Sequence, residues 1–165
     1  MKAAYFPLFL LLMSCSASRA YKKLPAEERV YLDAVDIFMS PEEKDLYLEI
    51  SDPVERRKMA EDGGWWMKWE VLTPEERQAV ATGELLIGMS KDAVIMSWGL
   101  PLRIRKQPEL GNVEVYQYRF ERTSDGNVFP SPPNSRTAYK NEVFERHVEF
   151  LDGRVRSIGD AVPTK

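Results

Sequence analysis

A single cysteine among 165 residues excludes an intramolecular disulfide, whatever compartment the chain occupies. With a single histidine, His147, only one imidazole could partner a nucleophilic serine, and the serines fall in cap and loop positions with no histidine nearby in sequence. Basic residues are not in excess either. Lys and Arg total 23 against 26 Asp and Glu, for a formal charge of −3, and the cations form no block. That balance lacks the electrostatic footprint of a nucleic-acid binder. Glycine-rich phosphate loops are missing as well. The longest apolar run, Ala3 to Met13, spans eleven residues. At helical rise it reaches only about 16 Å, short of a hydrocarbon core of about 30 Å.

What is present reads as one ordinary globular domain behind a leader: 44% of residues are hydrophobic and 30% charged. Lys2 supplies a positive start, and the apolar run after it has the length of a signal-peptide core. The run ends in Leu12-Met13-Ser14-Cys15, which resembles the lipobox of bacterial lipoproteins. The resemblance implies that Cys15 is the lipid attachment site, acylated after cleavage before it. Plain secretion, with cleavage after Ala20, is the alternative. A lone cysteine at the end of such a run favours the acyl acceptor. Ser16, not Asp, follows it, which under the same resemblance implies sorting to the outer membrane, facing the periplasm.

The mature chain changes character along its length. Residues 15–23 are small and polar and read as a lipidated tether, and 24–72 as a helical section. Ser40-Pro41, Asp52-Pro53 and Thr73-Pro74 each place a cap before a proline, with glutamate in the first turn. Tyr31, Ala34, Val35 and Phe38 form one helical stripe. Trp65 and Trp69 share a face if helix resumes after Gly63-Gly64; core is the preferred reading, a partner-binding patch the other. After Leu86 a short helix, Lys91–Trp98, is capped by Ser90 and stopped by Gly99 and Pro101. Val113–Phe120 and Val143–Leu151 alternate as strands. Asp152-Gly153 is a two-residue hairpin turn into a last strand through Val155 to Ile158. Between the first two strands, 123–141 reads as a long structureless loop carrying Phe129 and Tyr139, the best candidate interaction residues there.

Gly88-Met89-Ser90, then Val94, then Trp98-Gly99-Leu100-Pro101, an aromatic strand at Val115–Tyr118, and Val148–Val155 with Asp152 and Gly153 occur in that order. The segment from Thr73 to Ile158 thereby resembles the SmpA/OmlA family of outer-membrane lipoproteins, the BamE-like domain. The resemblance implies an αα-βββ module over 73–160: two helices packed on a small three-stranded antiparallel sheet. Better-known members are accessory subunits of the machinery that inserts β-barrel proteins. The fold expected is therefore α+β, an N-terminal helical section followed by that module.

No catalytic constellation emerges. Glu145, His147 and Glu149 share one strand face and have metal-ligand chemistry in principle, but they read as a solvated polar face. Neither a metal nor a cofactor beyond the Cys15 lipid is assigned, and an enzyme is not expected. The expectation is a lipid-anchored interaction factor with envelope or barrel-assembly proteins and the membrane as partners, and no nucleic acid. The alternative is a ligand-binding or inhibitor module on the same anchor.

Overall fold

Helix starts in this chain are set by side-chain caps. In the computed structural model, which describes residues 13–107, 109, 111–133, 135–136 and 140–160, Ser40 and Thr73 each accept the amide three residues on. The carboxylates of Glu43 and Glu76 return to the cap amides, completing two capping boxes. They open α3 (Pro41–Glu49) and α6 (Pro74–Thr82). Asp52 opens α4 (Pro53–Asp62) through the Val54 amide alone. The remaining helices are α1 (Met13–Lys23), α2 (Ala26–Val35), α5 (Trp65–Glu70) and α7 (Lys91–Trp98), with a 3-10 turn at Asp36–Phe38. The described residues divide into two compact units, with the boundary between Met67 and Lys68.

The first unit is helical. Tyr31, Leu32, Ala34 and Val35 of α2 are buried, with Tyr47 of α3, Ala60 of α4 and Trp65 of α5. One polar knot sits among them. Arg56 is buried and donates through Nε and Nη2 to both carboxylate oxygens of Glu28, at 2.5 and 2.9 Å, while the Tyr47 hydroxyl donates to Glu28 at 2.8 Å. Residues 15–23, which read as a tether in the sequence, are helical. They belong to α1, whose end is held by the Tyr21 hydroxyl donating to Asp33 at 2.5 Å and by buried Leu24.

The second unit carries an antiparallel sheet: β1 (Arg103–Gln107), β2 (Val113–Arg122), β4 (Glu142–Leu151) and β5 (Arg154–Asp160) in that spatial order, with β3 (Val128–Pro130) also paired to β2. Its inner face is aromatic. Tyr116, Tyr118, Phe120, Val148 and Phe150 are buried, and the Trp98 indole of α7 stands edge-on to Tyr118 and Phe120 at 5.4 and 4.8 Å. The Trp98 N–H donates to the Gly83 carbonyl at the end of α6, tying the two helices together.

The expected two helices on a three-stranded sheet are thereby corrected. Among the described residues there are seven α-helices, and the sheet has five strands. The two unexpected strands are β1 and β3. β1 reads Arg-Ile-Arg-Lys-Gln and has four of its five residues exposed, so it carries no apolar alternation to announce it. β3 has three residues and a proline, a pattern that belongs to short edge pairing.

Candidate functional site

The anchor position comes first. Residues 1–12 lie outside the described residues, while Cys15 falls within α1. Further along that helix Arg19, Lys22 and Lys23 are exposed and make no ion pair among the described residues. Among the described residues no helix is long and apolar enough to cross a membrane.

The outward face of the sheet is a surface positioned by regular structure. Residues of β1, β2 and β4 that point away from the aromatic core alternate with those that enter it. Arg105, Gln107, Val115, Gln117 and His147 line a hollow of about 230 Å³ on this side. His147 stands opposite Gln117 in the ladder. The two acids flanking it are already engaged: Gln117 donates to Glu145, and Arg156 of β5 pairs with Glu149 at 3.4 Å. Among the described residues no three His, Cys, Asp or Glu side chains converge on a common point. The face offers hydrogen bonds and charge.

The glycine-bearing motif shapes the scaffold. The Gly88 amide donates to the Val155 carbonyl and the Val155 amide to Met89, so the Gly88-Met89-Ser90 turn is laced to the start of β5. Met89 and Val94 are buried, and Ser90 caps α7 by accepting the Ala93 amide. Gly99 ends α7 at φ 79 and ψ −164, a region essentially reserved for glycine, and Pro101 follows. Asp152 and Gly153 both have positive φ, 50 and 79, the geometry of a type I′ hairpin.

The candidate interaction residues separate. Trp65 and Trp69 are buried, at 5% and 7% exposure, the placement of core residues. Phe129 of β3 is exposed, whereas Tyr139 lies outside the described residues. The reading of 123–141 as a structureless loop is corrected in part. Thr123 and Asn127 close a tight turn by a main-chain bond of 2.9 Å, and β3 pairs back on β2. Beyond it, buried Ser131 donates to buried Glu121 at 2.9 Å, and Asn141 donates to the other oxygen of the same carboxylate at 2.8 Å. Sequence reasoning missed this cluster because its members stand 10 and 20 residues apart, beyond any local pattern. It also missed Arg103 and Arg105, because β1 has four of its five residues exposed and so carries no apolar alternation to mark it.

The chain matches no family model, no curated protein and no solved structure.

Proposed function

We propose that this protein is an outer-membrane lipoprotein, held by lipid on Cys15 and facing the periplasm, that acts as a non-catalytic interaction factor in envelope or outer-membrane protein assembly. The observation that carries the reading is Leu12-Met13-Ser14-Cys15 at the end of an eleven-residue apolar run, with Cys15 the only cysteine in the chain. Two or three acyl chains on one residue would hold the protein at a bilayer far more firmly than one. The assembly role rests on the resemblance in the Gly88–Pro101 and Val148–Val155 segments. β1 and β3 are elements that resemblance does not account for. An interaction role is supported by a polar sheet face whose acids are already paired.

The test is palmitate labelling of the expressed full chain beside Cys15→Ala. Labelling should disappear in the variant, which should stay unprocessed or be released in soluble form. Unchanged processing together with unchanged membrane association would overturn the anchor. Crosslinking from isolated membranes then tests the assembly role, which predicts barrel-assembly components among the captured proteins.

A further inference from the structure

The two edges of the sheet differ in how their charges are used. On β5, Arg154 pairs with Glu76, Arg156 with Glu149, and Asp160 with Arg146. On β1, Arg103, Arg105 and Lys106 are exposed, and none makes an ion pair among the described residues. Neighbouring strands do not supply the missing acid. Arg103 stands opposite Gln117, Arg105 opposite Val115, and Lys106 opposite Glu114, whose carboxylate is taken at 2.8 Å by Lys91. β1 is also terminal in the strand order, so among the described residues one side of its backbone meets no strand.

We propose that the free edge of β1 is a docking site for an extended peptide segment whose residues alternate between acidic and aliphatic. The segment adds to the sheet as a further strand, and main-chain hydrogen bonds provide its hold. Its acidic residues fall on the outward face, beside Arg103 and Arg105 and the hollow that runs on to Gln107 and His147. Its aliphatic residues fall on the opposite face, beside Ile104, which is 51% exposed. Charge complementarity selects the partner: in a chain of net charge −3 the charged residues of β1 are all cationic, and Glu114 across from it is already taken by Lys91. Exposed charges on an edge also guard against self-association. Guarding alone, however, involves no main-chain pairing and is indifferent to which of a peptide's alternate amides are free. This inference names a partner class for the interaction role proposed above and does not depend on the lipid.

The experiment measures fluorescence anisotropy of a labelled peptide alternating Glu and Val over eight residues, against the full-length protein in detergent. A Lys/Val peptide and two Glu/Val peptides, N-methylated at alternate residues in either frame, serve as comparisons. The Glu/Val peptide should bind and the Lys/Val peptide should not. One N-methylated frame should lose binding and the other keep it, because only alternate amides of an added strand face its neighbour. Arg103→Glu combined with Arg105→Glu should weaken the Glu/Val peptide roughly tenfold, with an unchanged thermal melt. Equal binding of both charge types, or no difference between the methylated frames, would overturn the proposal. So would vesicles of phosphatidylglycerol and phosphatidylcholine that bind through Arg103 and Arg105 while the peptide does not. Repeating the titration with Cys15→Ala keeps a failed anchor distinguishable from a failed docking site.

Discussion

Arg56 cross-links the helical unit through one buried guanidinium. Besides Glu28, its guanidinium donates to the carbonyls of Ile50 and Ser51, at 2.7 and 3.1 Å, so one side chain joins α2, α4 and the segment before α4. Burial by itself would push the Glu28 carboxyl up. The hydrogen bonds from Arg56 and Tyr47 outweigh that and hold it below the usual carboxylate range. A depressed folded pKa means that Glu28 binds its proton less readily folded than unfolded. Its contribution to stability is therefore present above the unfolded pKa and is lost as pH falls through the folded one. Arg56→Met should cost about 3 kcal/mol at neutral pH, because it strands a carboxylate inside the unit. Glu28→Gln should flatten the acid limb of the stability profile. Urea melts from neutral pH down to about pH 3 measure both. An acid limb of wild-type steepness in Glu28→Gln would assign that limb to other groups.

Among elements, β3 changes what the segment after Thr123 is expected to do. An idle connection tolerates replacement, since shortening a loop perturbs closure entropy little. This one pairs with β2 and brings Ser131 over a buried carboxylate. Replacing Ser124–Ser135 with a short Gly-Ser linker should therefore lower the melting temperature of the sheet unit. The milder Ser131→Val should cost about 1–2 kcal/mol by removing one donor from Glu121. Thermal melts of the two variants decide the point. Wild-type melting of the linker variant would show that β3 and the Ser131 contact contribute nothing to stability.

For the molecule as a whole, the consequence of α1 is a short connection. From Cys15 to Lys23 a helix rises about 12 Å. Tyr21, bonded to Asp33, ties that helix to the fold of the first unit. In the lipid-anchored reading, the first unit therefore stays near the bilayer surface, without the reach of a flexible leash. Trypsin can cut after Arg19, Lys22 or Lys23 only when α1 opens, so cleavage there reports the opening. Tyr21→Phe should raise the rate of cleavage at these sites roughly fivefold, the worth of about one hydrogen bond. Equal cleavage of the two proteins would mean that Tyr21 does not secure the helix.

The sequence by itself determined whatever is decided within a few residues of chain. Capping boxes at Ser40 and Thr73, the stop of α7 at Gly99, the Asp152-Gly153 hairpin and the alternation of β2 and β4 all follow from short-range sterics and hydrogen bonding. Only the tertiary structure decided the rest. β1 and β3 become strands because β2 offers them an unpaired backbone, and their own side chains carry no core-facing pattern. Residues 15–23, polar enough to read as a tether, are helical in α1, whose end Tyr21 and Leu24 secure. The pairing of Glu28 with Arg56 spans 28 residues and that of Glu121 with Asn141 spans 20. Such partners are chosen by which elements pack together, because an ionic group taken from water must find its counterpart wherever the fold has carried it.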